Sequence, residues 1–154
     1  MIQFLSKLQR NAKTQPDKIA IVDNPESEGD TYAQLDFYSA RVLSYLRQAG
    51  IGPEDFVAIC LPRGAKCVVS ALGVLKAGAA FVLLEESYTP ERSAYIKSDC
   101  GCKAVIDFDV WRQIQHDEPS YEIADPDEHA AAFAVYTSGS TGNPKGVVHE
   151  YGNI

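Results

Sequence analysis

The sequence predicts an α/β fold: a mainly parallel sheet with helices on both faces. Three observations point to it. Residues 56–61, 79–84 and 104–106 are short runs apolar on both faces, as strands covered on both sides are. Helical patterns lie between them, over 65–75 and from Pro90 to about Lys97. Stop signals punctuate the joints, Pro62 after the first strand and Gly78 after the helix that follows it. Such alternation implies right-handed crossovers and parallel pairing. At 154 residues the chain suits one domain. A domain of that size buries roughly 68–70% of its unfolded surface, so it needs no metal or disulfide staple.

In chain order, residues 2–14 read as an amphipathic surface helix, with Phe4, Leu5 and Leu8 on one side and Lys7, Arg10 and Lys13 between. Residues 19–22 form a short strand, a polar turn occupies 24–29, and Thr31 and Tyr32 open a second strand. Leu35, Tyr38, Val42, Tyr45, Leu46 and Ala49 repeat at helical spacing until Gly50. Arg41 and Arg47 fall off that stripe and are expected to face water. Residues 65–75 carry apolar side chains nearly all round, which predicts a buried helix. Pro90 suits the first turn of the next. Residues 116–129 hold six acids and two prolines and read as an exposed acidic connection. A strand returns over 131–136.

Fourteen basic against 21 acidic residues give a net charge of −7. That argues against broad nucleic-acid or anionic-membrane binding, which needs basic surface. No uncharged apolar run reaches membrane-spanning length, and the N-terminus lacks the continuous apolar core of a signal peptide. Cys60 and Cys67 lie in apolar runs and read as small buried hydrophobes. Cys100 and Cys102 form a C-x-C without the paired spacing of a zinc site. Free thiols and a cytoplasmic setting are the expectation, and no metal site is expected.

The chemistry concentrates in residues 136–146, YTSGSTGNPKG, where three glycines, four hydroxyl residues and one lysine share eleven positions. Glycines let backbone N–H groups converge on an anion, hydroxyls donate to phosphate oxygens, and Lys145 adds a compact charge. Lys145 is also the only Lys or Arg after Arg112. The pattern is not a P-loop, because Lys145 follows Pro144 and precedes Gly146. Nor is it the dinucleotide fingerprint, since Gly139 and Gly142 make only G-x-x-G. Val147 and Val148 favour a strand next, so no helix N-terminus is on offer. Composition alone leaves an anion cradle and a long turn of small residues both open.

Residues 136–146 closely resemble the phosphate-binding loop of adenylate-forming enzymes, the superfamily of acyl-CoA synthetases, luciferases and peptide-synthetase adenylation domains. Residues 75–82 (LKAGAAFV) with Ser87-Tyr88 and Glu91-Arg92 resemble the second core motif of the amino-acid-activating branch; Thr31-Tyr32-Ala33-Gln34-Leu35 resembles its first. The likeness runs from about Thr31 to the end. It departs where the family usually has proline, at Leu83, Glu86 and Thr89, and where it often has histidine, at Tyr151. Tyr151 is therefore either an aromatic over a substrate pocket or an ordinary strand-end tyrosine. Arg63 sits where parallel sheets carry ligands, or is a surface ion-pair arginine. His149, with only Glu150 nearby, is a poor general base.

The resemblance implies an incomplete N-terminal subdomain of an AMP-forming ligase that uses ATP and Mg²⁺. In the family an amino-acid carboxylate attacks the ATP α-phosphate, pyrophosphate leaves, and a carrier-protein thiol takes the acyl group. Carried over, the ATP contacts are Thr137, Ser138, Gly139, Ser140, Thr141, Gly142 and Lys145. The ribose, magnesium and lid-lysine positions come later in the family's order. The chain by itself is then expected to be inactive, and its unfinished sheet edge to favour self-association. A non-catalytic module and an acyl-CoA synthetase fragment remain the other two readings.

Overall fold

A computed structural model describes residues 3–137 and 143–154. The described elements run α1 (Gln3–Thr14), β1 (Ile19–Ile21), β2 (Asp30–Thr31), α2 (Tyr32–Gln48), β3 (Phe56–Ile59), α3 (Ala65–Lys76), β4 (Ala80–Leu83), α4 (Pro90–Asp99), β5 (Cys102–Ile106), α5 (Phe108–Ile114), β6 (Ala131–Thr137) and β7 (Lys145–Glu150), followed by a 3₁₀ turn at Tyr151–Asn153. Five strands form one sheet in the order β5-β3-β4-β6-β7; β1 and β2 pair separately. The first four strands are parallel and β7 is antiparallel to β6. The predicted mainly parallel sheet is therefore present, with an antiparallel edge strand.

Local chemistry explains the helix starts. The Thr31 hydroxyl accepts from the Gln34 amide while the Gln34 side chain accepts from the Thr31 amide, a complete capping box for α2. The Thr89 hydroxyl caps α4 ahead of Pro90, and the Asp107 carboxylate caps α5 through the Val110 amide. α5 is the element that the sequence expectation lacks. It is only seven residues long, of mixed polarity, and it buries only Trp111 and Ile114, three positions apart.

Alternate strand residues feed two cores. Val57, Ile59, Ile106 and Ala132 join α1, α2, α3 and α5 in a large core, whereas Ala58, Val82 and Leu84 meet Ile96 of α4 in a small one. Helices thus cover both faces, four against one. Gly73 lets α3 press against α2: a Cβ there would lie 2.3 Å from Val42 Cβ, far inside contact distance. Lys76, the last residue of α3, is fully buried, with its Nζ 2.6 Å from Asp36 Oδ1 and donating to the Asp36 carbonyl. Burial holds its ammonium pKa below the usual lysine range despite Asp36.

Two expectations about side-chain placement change, and a third gains an anchor. Arg41 is half-buried with its guanidinium over the Phe37 ring, 4.5 Å from the centroid, rather than in water. Arg47 is exposed as expected, but it is anchored to Glu122 and to the Ser120 hydroxyl. Cys60 and Cys67 are half-buried rather than buried, although burial still raises both thiol pKa values. Residues 116–129 contain no helix or strand; hydrogen bonds from the Ser120 amide to the Ala40 carbonyl and from the Ala124 amide to the Lys76 carbonyl tie them to α2 and α3.

Candidate functional site

β6 and β7 are the two sides of a hairpin whose connection is the glycine- and hydroxyl-rich segment. The register pairs Thr137 with Lys145 and Tyr136 with Gly146. Thr137 and Lys145 are both exposed and face each other where the hairpin opens. β6 is parallel to β3 and β4, so this opening lies at the carboxyl edge of the parallel strands, where open α/β sheets bind ligands. Ser138, Gly139, Ser140, Thr141 and Gly142 lie outside the described residues. Of the expected phosphate contacts, the structure therefore positions the two flanks.

Three devices fix the hairpin. Phe133 stacks between Phe81 of β4 and His149 of β7, with centroids 5.5 Å and 4.4 Å away. His149 is thereby a packing residue on the exit strand. Tyr151 then closes the hairpin's far end. It is 3% exposed, and its hydroxyl lies 2.7 Å from the Ala79 carbonyl and 3.2 Å from the Leu75 carbonyl. Burial raises its phenol pKa well above the usual value. Tyr151 is thus a strut of the large core, its hydroxyl tied to backbone before β4 and at the end of α3. Finally, Glu150 accepts from His129 at 3.1 Å, joining β7 to the acidic connection and raising the His129 pKa.

A cleft of about 630 Å³ lies at the same carboxyl edge, lined by Leu61, Pro62 and Arg63 after β3 and by Leu84, Glu85 and Ser87 after β4. The helix after β3 covers one face and the helix after β4 the other, so this is a topological switch point. Arg63 reaches Glu85 at 2.7 Å, and that guanidinium holds the Glu85 carboxyl below the usual range. Arg63 thus makes the surface ion pair and also rims the cleft. In the sequence the cleft is signalled by Arg63 at a strand's carboxyl end and by the apolar strand ends at 61 and 84 beside a charged turn.

A family model described as AMP-binding enzyme matches residues 8–154. The chain belongs to the AMP-binding enzyme family. Curated relatives agree with that membership. A probable non-canonical nonribosomal peptide synthetase of Salinispora arenicola is 44% identical over 147 residues, covering 94% of this chain and 2% of the synthetase. A linear gramicidin synthase of Brevibacillus parabrevis is 36% identical over 162 residues, covering 91% of this chain and 2% of its own length. Among solved structures, the N-terminal subdomain of Klebsiella oxytoca NpsA, in complex with 3-hydroxyanthranilyl-AMSN, superposes with TM-score 0.83 at 22% identity, over 98% of this chain and 41% of that one. o-Succinylbenzoate CoA synthetase from Bacillus subtilis, in complex with an acyl-adenylate intermediate, gives TM-score 0.79 at 26% identity, over 95% and 42%. The fold is that of the N-terminal subdomain of adenylate-forming enzymes, of which this chain spans a part.

Proposed function

We propose that the chain supplies the phosphate grip of an ATP-dependent ligase that activates an amino-acid carboxylate as its aminoacyl adenylate, before transfer to a carrier-protein thiol. The observation that carries the reading is the hairpin opening: Thr137 and Lys145 are cross-strand partners at the ligand-binding edge of a sheet of the AMP-binding family. Between them, Ser138, Gly139, Ser140, Thr141 and Gly142 supply amides and hydroxyls. Attack of the carboxylate on the α-phosphate breaks the bond to the β-phosphate oxygen, and charge builds on the departing pyrophosphate. Donors already aimed at that charge lower the barrier without reorganising. Lys145 offsets the developing charge directly, and Thr137 donates from the opposite strand.

Mg²⁺ enters this reading with the ATP phosphates, where it neutralises charge. The resemblance assigns its acidic protein ligand to a later position in the family's order; among the described residues no group of three or more His, Cys, Asp or Glu is placed to hold a metal. ATP is the nucleotide partner in this reading; neither nucleic acid nor membrane is assigned. No helix among the described residues is long and apolar enough to cross a membrane. Four free cysteines support a reducing cytoplasmic setting.

Sequence relatives favour the amino-acid branch over the acyl-CoA branch: the relatives at 44% and 36% identity are peptide synthetases, whereas the CoA synthetase match is 26% identical. Because the chain spans 2% of those synthetases, turnover is assigned to the longer protein and none to the chain alone. The test is pyrophosphate exchange by the intact synthetase against the proteinogenic amino acids and a set of aryl and fatty acids. Exchange dependent on an amino acid supports the reading; exchange driven only by a non-amino acid overturns it in favour of the acyl branch.

A further inference from the structure

The phosphate grip leaves one cluster of nucleophilic side chains unassigned, at the corner where α4 passes into β5. Cys100 caps the C-terminus of α4 with helical backbone, Gly101 adopts φ +63°, and Cys102 opens β5. The left-handed turn at Gly101, costly for any other residue, folds the chain back on itself. Both sulfurs then face the small core beside Val82 and Ile96 instead of opposite sides. Both thiols are half-buried with access to solvent. Cys100 Sγ also lies 3.1 Å from Tyr136 Oη, whose proton goes to Asp99 Oδ2 at 2.5 Å. Tyr136 is the residue that precedes Thr137 at the hairpin opening and pairs with Gly146 across it.

The groups facing the pair come from every adjoining element: Lys97 and Asp99 from α4, Tyr136 from β6, and Cys60 just after β3. Interaction with the neighbouring Cys102 brings the Cys100 pKa down to about 7, while Cys102 is driven up. A thiolate is the nucleophilic form of cysteine. Cys100, the sulfur that also meets Tyr136 Oη at 3.1 Å, is assigned as the attacking one and Cys102 as the resolving one.

We propose that Cys100 and Cys102 are an oxidisable thiol pair, a modification site whose oxidant is a hydroperoxide and whose product is an intrachain disulfide that releases Tyr136 from Cys100. The Cys100 thiolate attacks the hydroperoxide; the O–O bond breaks, an alcohol or water leaves with one proton, and Cys100 becomes a sulfenic acid. The Cys102 sulfur then displaces that hydroxyl as water, forming the S–S bond. Two thiols and one hydroperoxide give one disulfide, one alcohol and one water. A dithiol reductant reverses the product. The inference stands whether or not the chain serves a ligase.

The test is hydrogen peroxide titration of the reduced chain, read by mass spectrometry of the tryptic peptide 98–103, which lies between Lys97 and Lys103 and contains both cysteines. The expected result is loss of two hydrogens within that peptide before any change at Cys60 or Cys67. Cys102→Ser should accumulate a Cys100 sulfenic acid trapped by a cyclic dione, and Cys100→Ser should slow oxidation of Cys102 by about tenfold or more. Urea melts verify that both serine variants fold. In the wild type, oxidation should shift the amide resonances of Tyr136 and Gly146 and dithiothreitol restore them. Prior oxidation at Cys60 or Cys67, a disulfide between chains, or equal rates for Cys100→Ser and wild type would each overturn the proposal.

Discussion

The two faces of the sheet are held by opposite means. On one, four helices bury a large core into which a charge pair and a tyrosine hydroxyl are locked: Lys76 with Asp36, and Tyr151 with the Ala79 carbonyl. On the other, a single helix covers a core of four buried residues, and a thiol–phenol–carboxylate chain runs from Cys100 to Asp99 along its margin. The β6–β7 edge belongs fully to neither; Val135, Val147 and Val148 are about half exposed there. The contrast shows how the site is built. The thick face fixes the strand ends, and the candidate phosphate grip projects from a lightly covered edge.

The comparison can be broken most forcefully at Lys76. Lys76→Ala leaves Asp36 without its partner in a largely buried position, and loss of one member of such a pair costs about 3–5 kcal/mol. Urea unfolding should show the midpoint collapse, while a near-unchanged midpoint would make the pair dispensable. A smaller effect is expected at Tyr151→Phe, which removes only the hydroxyl and orphans a buried carbonyl, at about 1 kcal/mol or somewhat more. The same denaturant series checks it, with Lys76→Ala as the reference.

At the thin edge, stability gives way to association. A sheet edge with exposed valines is a template for pairing with another chain. We predict concentration-dependent self-association in sedimentation, abolished by Val147→Lys with Val148→Lys. A wild-type monomer at every concentration would sink this. The smallest expected effect is at His129. Glu150 beside it raises its pKa above the ordinary value of about 6.5. A raised pKa means the His129–Glu150 contribution is complete at low pH and fades as pH climbs through the histidine's folded-state pKa. Because the ring is exposed, NMR titration of its carbons is the proper readout, and Glu150→Gln should return the midpoint towards the ordinary value.

Much of this architecture is written locally. Two-faced apolar runs located β3, β4 and β5 because a parallel strand covered on both sides has no polar alternation to obscure it. Gly50 and Gly78 marked helix ends for equally local reasons. What escaped notice depends on neighbours far along the chain. α5 is seven residues of mixed polarity, and beyond its Asp107 cap it depends on the docking of Trp111 and Ile114 into the large core. Lys76 sits at the end of a hydrophobic helix, and nothing in its own surroundings announces Asp36, forty positions earlier. Arg41 looked solvated by helical phase, yet Phe37, one turn before it, draws the guanidinium down. Tyr151 could be read as pocket or strand end until the Ala79 carbonyl, 72 positions away, claimed its hydroxyl. The glycine- and hydroxyl-rich segment is the reverse case: composition leaves it ambiguous, and its phosphate-binding role is proposed on an eleven-residue resemblance within a chain of the AMP-binding family.

The central claim, that Lys145 at the hairpin opening grips the departing phosphates, is tested most directly by amino-acid-dependent pyrophosphate exchange in the intact synthetase. Loss of a hydrogen bond to a charged group costs roughly 1.5–3 kcal/mol, which is about ten- to a hundredfold in rate. Lys145→Ala should therefore slow exchange by that factor while leaving the denaturation midpoint unchanged. Exchange at the wild-type rate in a folded Lys145→Ala enzyme would remove Lys145 from the mechanism and contradict the account.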